Sequence, residues 1–368
     1  MGKASSAAGK IVGVHLDLKG VVFRPGYVPQ LFADLASQGV NAVLVEYEDT
    51  FPFEGIDVAW DRAVCFTRRS LRRFLAAAAR RSIEVIPLQQ CLGHLEYVFR
   101  WGRCRRYALN RKYPGTLDLS KPAGKALVRE MLRQVIEAHP ASRFVHLGLD
   151  EAQLLPPGSS EKGPGVFQAF LGYLYELTQF VEGFGKTPVL WSDMLQDHFR
   201  PEALGSLLAL KRRVVLMPWD YSSWGRTMPT GRICGLRVSR RWLRKADDPS
   251  APTVLPGTQF NEDLPAAVRR LVRPYIKGGE WHTLFAADLW TRLGFRIIGA
   301  TVVRSSGHGP ALPLYNAMHR NIRAWAEAIR RTRQLGLIAT SWARGTTFCP
   351  PNFSTDRTWP SIAELAEA

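Results

Sequence analysis

Eight short apolar segments, each followed by a helical pattern, constrain this chain more than any other feature of it. They are Ile11–Leu18, Ala42–Tyr47, Ile83–Leu88, Phe144–Leu149, Pro188–Trp191, Val214–Trp219, Arg296–Val302 and Leu337–Thr340. Apolar runs of about four to eight residues read as strands buried on both faces. Between them, Thr67 stands ready to cap a helix over Arg68–Arg81, with Leu71, Phe74, Leu75 and Ala78 on one face. Ser120-Lys121-Pro122 opens a second helix that Pro140 closes, Val166–Val181 ends at Gly183, and Pro313–Gln334 ends at Gly336. Strands alternating with helices build a parallel sheet, and eight of them predict a closed (β/α)8 barrel. A doubly wound open sheet is the runner-up, but no Gly-rich phosphate loop follows the first strand. Residues 222–295, rich in Arg, Pro and Gly, are too long for one crossover and read as an elaborated insertion after strand six. The expected organisation is an N-terminal tail over 1–10 and a single (β/α)8 catalytic domain over 11–368.

Composition excludes several classes. With 46% hydrophobic residues the chain can build a large core, and disorder is not a serious reading. The five cysteines (Cys65, Cys91, Cys104, Cys234 and Cys349) form no CxxC pair, so neither a disulfide framework nor a zinc site is supported. The N-terminal segment lacks the apolar core of a signal peptide, and no stretch is long enough to span a membrane, so a cytoplasmic location is expected. Met1-Gly2 with Ser6 matches the loose myristoylation pattern. The formal charge is +17, and most basic residues fall on expected solvent faces of helices. One patch differs: Arg100, Arg103, Arg105, Arg106, Arg111 and Lys112 are interleaved with Trp101 and Tyr107. Such interleaving resembles nucleic-acid binding, but no nucleic-acid motif accompanies it, which favours a solvated face or a rim for an anionic substrate.

In a parallel barrel the chemistry sits at the C-terminal strand ends. The fourth segment runs Phe144-Val145-His146-Leu147-Gly148-Leu149 and stops at two adjacent carboxyls, Asp150 and Glu151. The other strand ends contribute Asp17 and Lys19; Glu46, Glu48 and Asp49; Gln89, Gln90 and His94; Trp191 and Asp193; Trp219, Asp220 and Tyr221; and Trp342 and Arg344. Acids, amides and three Trp make a plausible sugar pocket, because hydroxyls need polar partners and a sugar ring needs a flat apolar face. Simpler roles compete. His146 reads as a core histidine, Asp193 and Asp220 as caps of following helices, and Trp191 and Trp219 as packing. His15 and Asp17 are half of a barrel metal site with no His pair to complete it, so no metal or cofactor is expected. Glu46 and Glu48 point the same way along their strand, which suggests a shared task or a salt bridge to Lys19.

These residues occur as HLDLKG at 15–20, VEYEDTFPFEG at 45–55, EVIPLQQCLGH at 84–94, HLGLDE at 146–151, LWSDM at 190–194, LMPWDY at 216–221 and SW at 341–342. In that order they resemble glycoside hydrolase family 20, of the hexosaminidase D type, over nearly the whole chain outside the insertion. The resemblance implies a retaining exo-β-N-acetylhexosaminidase acting on terminal GalNAc or GlcNAc of a glycan, with the substrate's own 2-acetamido group as nucleophile. Glu151 is then the general acid, with a pKa raised by burial, and Asp150 orients the acetamido N–H. Tyr221 holds the acetamido carbonyl, and Trp191, Trp219 and Trp342 wall the pocket. His94 supports acid and sugar, while Lys19, Glu46, Asp193 and Asp220 serve substrate binding. Many family members have a carboxylate two residues beyond the last Trp, where this chain has Arg344. The rival expectation is a non-hydrolytic carbohydrate-binding or scaffold protein on the same barrel.

Overall fold

The structure is a computed structural model, and it describes residues 10–21, 23–59, 61–156, 164–198, 203–221, 231–233, 236–238, 270, 274, 276–277, 280–281, 284–305, 313–345 and 349–368. Eight parallel strands close a barrel in the order in which they occur along the chain. They are β1 (Ile11–Asp17), β2 (Ala42–Glu46), β3 (Glu84–Leu88), β4 (Phe144–His146), β5 (Thr187–Trp191), β6 (Val215–Met217), β7 (Arg296–Arg304) and β8 (Gly336–Ser341). The first and last strands pair in register, Ile11 with Gly336 through Val14 with Ala339, so the sheet has no free edge.

Strand periodicity decides what faces the interior. Ile11, Ala42, Leu44, Ile86, Leu88, Phe144, Val189, Trp191, Val215, Met217, Ile298, Ala300 and Ile338 pack together inside the barrel. The alternate residues, such as Val43, Val45, Val145, Leu190 and Leu216, join the cluster that holds the helices. Continuing the inward parity beyond the apolar layer gives Asp17, Glu46, Trp219 and Trp342, which is how the sequence delivers polar and aromatic groups to one mouth.

Local signals place the helices. Thr67 accepts from the Ser70 N–H (3.0 Å) while Ser70 Oγ accepts from the Thr67 N–H (2.9 Å), a capping box that starts Arg68–Ala79. Helices Pro122–Ala138 and Pro164–Glu182 lie where the apolar periodicity put them. The last long helix, Tyr315–Thr332, closes on Arg333 in the left-handed conformation rather than at Gly336. Gly336 instead opens β8, where a Cβ would collide with the Ile11 backbone.

Strand four is shorter than expected. It ends at His146, because Gly148 (φ 66°), Leu149 (φ 75°) and Glu151 (φ 47°) leave extended geometry. Most of 222–295, Cys234, the 1–10 tail apart from Lys10, and the myristoylation pattern lie outside the described residues. Within 222–295, Phe285–Arg292 is a helix packed beside β7, as a barrel crossover requires, so that end of the stretch belongs to the barrel itself. Among the described residues no helix is long and apolar enough to cross a membrane.

Candidate active site

Two clusters occupy the mouth. The first sits on β1 and β2, whose register sets Asp17 beside Glu46. Lys19 Nζ lies 3.2 Å from Asp17, 3.3 Å from Glu46 and 3.7 Å from Glu48, and 5.0 Å from the centre of the Trp342 ring. Glu46 also faces His15 Nε2 at 3.2 Å. Burial works against the Lys19 ammonium, but the surrounding carboxyls outweigh it and hold its pKa well above the ordinary value. Burial likewise opposes charge on Glu46, and Lys19 and His15 overcome it and bring its pKa well down. Glu48 is the reverse: burial and the neighbouring Glu46 and Asp17 raise its pKa well above the carboxylate range despite Lys19. The salt bridge expected from Glu46 and Glu48 to Lys19 is present. Lys19 is only 3% exposed, however, and its donors face three carboxyls. A direct role on the ring hydroxyls, as expected for Lys19 and Glu46, would require one of these contacts to be given up.

The second cluster is built on the turn after β4. Gly148 there adopts φ 66°, and any side chain on it would overlap Gln90. Gln90 Nε2 is thereby free to donate to Glu46 Oε1 (3.1 Å) and Asp150 Oδ1 (3.2 Å), linking the two clusters. His94 Nε2 lies 3.3 Å from Asp150 Oδ2 and 3.5 Å from Glu151 Oε2. Burial pushes the His94 imidazole down, but the Asp150 charge and its contacts with both carboxyls prevail and hold it well above its ordinary pKa. The same pairing lowers Asp150 against its own burial. Asp150 is therefore an anion gripped by an imidazolium and an amide.

Glu151 behaves differently from the buried acid that the sequence suggests. Its side chain is 58% exposed, so in the free site solvent reaches the carboxyl even though His94 contacts it. The reason is local: the left-handed Glu151 backbone turns the side chain outward, while its N–H donates to Asp193 Oδ2 at 2.9 Å. Asp193 Oδ1 accepts from Trp219 Nε1 at 3.2 Å, so both of its oxygens are engaged by protein donors. It does not cap a helix through its side chain alone; it ties the ends of β4 and β6 together. Burial and the nearby Asp150 raise its pKa to about 7.

The aromatic residues converge. Trp191 stacks near His146 (4.5 Å between centroids) and Trp342 (5.9 Å), and Trp342 meets His15 edge-on at 4.6 Å. Trp219 lies 5.4 Å from Tyr221, whose hydroxyl accepts from Trp342 Nε1 at 3.0 Å. Trp191 is 1% exposed and forms the floor, with Trp219 and Trp342 partly open above it. Burial raises the Tyr221 phenol pKa. Arg344 is half-buried, with its guanidinium against Gly20 on the first loop rather than turned away from the barrel. The Asp220 carbonyl accepts from Asn321 Nδ2 (2.9 Å) and Trp325 Nε1 (3.0 Å), fixing the loop that carries Tyr221.

Sequence reasoning put Gln90 at the mouth without giving it a role and passed over Asn321 and Arg304. Gln90 joins the clusters, Asn321 anchors the β6 loop, and Arg304 lies buried at the end of β7, donating to Ser341 O (3.2 Å) and Thr355 Oγ1 (3.0 Å). Asn321 and Arg304 did leave a trace, each being a polar residue inside an apolar pattern. Among the described residues, no group of three or more His, Cys, Asp or Glu is arranged to hold a metal ion.

Comparison with known proteins follows the same direction. The chain is 31% identical over 218 residues to hexosaminidase D of Bos taurus, a match covering 57% of this chain and 62% of that protein. It is 30% identical over 218 residues to hexosaminidase D of Homo sapiens, covering 57% of this chain and 44% of that one. The chain is hexosaminidase D-like. The matched region is less than two thirds of the length of either relative. No family model matches the chain. Among solved structures, dispersin B superposes with a TM-score of 0.58 at 13% identity, covering 98% of each chain. The β-N-acetylhexosaminidase from Bacteroides fragilis NCTC 9343 gives a TM-score of 0.60 at 15% identity, covering 97% of this chain and 65% of that one. The chain thus has the barrel fold of these solved structures.

Proposed function

We propose that the protein is a retaining exo-β-N-acetylhexosaminidase that removes terminal GalNAc or GlcNAc from a glycan by substrate-assisted catalysis. The observation that carries this reading is the unequal state of two adjacent carboxyls: Asp150 buried and charge-compensated, Glu151 outward and open to solvent. In this reading Asp150 accepts the acetamido N–H and stabilises the positive charge that develops as the acetamido carbonyl attacks the anomeric carbon. That attack breaks the glycosidic bond on the opposite face, and Glu151 donates its proton to the departing oxygen. Water then opens the cyclic intermediate with Glu151 acting as base, so configuration is retained, and no second carboxylate nucleophile is required. Binding of the sugar would cover Glu151 and supply the desolvation that the free site lacks. In this reading Tyr221, held by Trp342, takes the acetamido carbonyl, and Trp191, Trp219 and Trp342 form the apolar wall.

A carbohydrate-binding protein on the same barrel would have no use for a solvent-open carboxyl beside an ionised partner, which is why hydrolysis is favoured. The test is release of an aryl aglycone from β-GlcNAc and β-GalNAc glycosides by purified protein, with a thiazoline mimic of the cyclised intermediate as competitive inhibitor. Turnover with such inhibition is expected. Binding of the sugars without any turnover would leave the non-hydrolytic reading.

A further inference from the structure

Between Tyr97 and Leu117 the chain carries six basic residues and no acidic one. This segment is the outer part of the long β3 loop, and its base is built into the candidate active site. His94 contacts Asp150 and Glu151, the Leu95 N–H donates to Gly115 O (2.9 Å), and the Gln153 N–H faces Thr116 Oγ1 (3.4 Å). The loop is firmly folded: Tyr97, Val98, Phe99, Cys104 and Ala108 are buried, and Ala108 pairs with Leu117.

What the loop displays is unpaired positive charge. Arg103, Arg105, Arg106, Arg111 and Lys112 are exposed. Among the described residues none of the five has a carboxylate partner; Arg103 donates to the Asp57 carbonyl and Arg106 to the Tyr107 hydroxyl. Several arginines on the outer helices and strand starts are paired instead. Arg133 pairs with Glu130 (2.6 Å), Arg143 with Glu84 (2.6 Å), Arg213 with Glu182 (2.5 Å), Arg323 with Glu364 (2.5 Å) and Arg331 with Asp288 (2.9 Å). Aromatic faces accompany the loop cations: Arg106 lies 4.9 Å from the Tyr107 ring and Lys112 5.3 Å from that of Tyr113, which is 67% exposed.

We infer that this loop is an extended subsite for the anionic portion of a glycan, one whose sugars beyond the terminal hexosamine carry sulfate or carboxylate groups. Like-charged side chains held together on a rigid loop repel one another, and an anionic ligand relieves that repulsion. The exposed Tyr113 ring offers a sugar ring a stacking face. Anchorage of the loop beside His94 makes a chain extending out of the pocket the favoured occupant over a nucleic acid. The inference rests on the proposed hydrolase reading only for the direction in which the ligand extends.

The test uses a sulfated tetrasaccharide ending in β-N-acetylhexosamine, its desulfated counterpart, and a single-stranded oligonucleotide of equal charge. Direct binding and, where turnover occurs, KM and kcat are measured for the full chain and for two variants, Arg103→Ser/Arg105→Ser/Arg106→Ser and Arg111→Ser/Lys112→Ser. Three exposed ion pairs lost together predict a roughly tenfold weaker affinity for the sulfated sugar. Affinity for the desulfated sugar should hold, kcat should change little, and preference for the sulfated sugar should fade as salt shortens the Debye length. Thermal melts establish that the variants are folded. Equal affinity for both tetrasaccharides, or an unchanged sulfated-to-desulfated ratio in both variants, overturns the inference. Tighter binding of the oligonucleotide overturns it in favour of nucleic acid. Because binding is read directly, sulfate preference without turnover would retain this subsite while refuting the hydrolase reading.

Discussion

The two halves of the mouth use charge in opposite ways. On the β1–β2 side, Lys19 and its three carboxyls are sealed from solvent and engaged with one another, Lys19 compensating Glu46 while Glu48 is held toward its neutral form. On the β4 side, Asp150 is held by Gln90 and His94, yet Glu151 beside it stays open to solvent. A group that must transfer a proton cannot be saturated, whereas a group that only has to hold shape can be. In the proposed reading the reactivity lies on the turn after β4 and the rigidity on β1 and β2.

The largest way to break this contrast is at the acid. Glu151→Gln keeps the shape and removes the proton, so turnover of substrates with poor leaving groups should fall by roughly 10²–10⁴-fold. Activated leaving groups need little protonation and should suffer less. An equal loss for both classes in steady-state kinetics would remove Glu151 from the acid role.

The saturated side should fail in stability rather than in chemistry. Lys19→Met leaves buried carboxyls without their cation, and the expected cost is about 3–5 kcal/mol of unfolding free energy. Urea denaturation measures it. A loss below about 1 kcal/mol would mean that the carboxyls adapt by taking up protons, and that Lys19 is not what holds them.

Asp193 ties the turn after β4 to the end of β6, and its raised pKa gives a pH signature. A carboxyl whose folded pKa exceeds its unfolded value stabilises at low pH, and that contribution is lost as pH rises through the folded value. With about 3.9 unfolded and about 7 folded, the loss from Asp193 accumulates between those values. Asp193→Asn abolishes the titration. Measured as variant minus wild type, unfolding free energy should therefore climb from about pH 4 to about pH 7 and level off above. A flat difference would show that Asp193 does not titrate in this range. The smallest expected effect is at Arg344, where a donor-only side chain replaces an acceptor. Arg344→Ala should change the ratio of kcat/KM for GalNAc and GlcNAc glycosides a few-fold; an unchanged ratio would take Arg344 out of the pocket.

The barrel was legible because its signal is redundant: eight apolar runs, each with the same parity, each followed by a helix. The mouth residues were legible for the same reason, since Asp17, Glu46, Trp219 and Trp342 continue the inward parity of their strands. Conformation at the turns was not. Nothing in HLGLDE announces that Leu149 and Glu151 adopt positive φ, and that single fact leaves Glu151 exposed instead of buried. Asp193 likewise read as a substrate ligand or helix cap, because its partners, the Glu151 N–H and the Trp219 indole, are distant in sequence. Gln90 was placed at the mouth, but its bridging role was not legible, because it depends on space left by Gly148 on the neighbouring strand's turn.

The central claim is that the nucleophile belongs to the substrate, with Asp150 orienting it and Glu151 supplying the proton. The most direct test compares kcat/KM for matched aryl β-glycosides that differ only at carbon 2, acetamido against hydroxyl. The account predicts turnover of the acetamido sugars and essentially none of the plain glycosides, a difference that Asp150→Asn should narrow by lowering the acetamido rate alone. Comparable turnover of the two would contradict it.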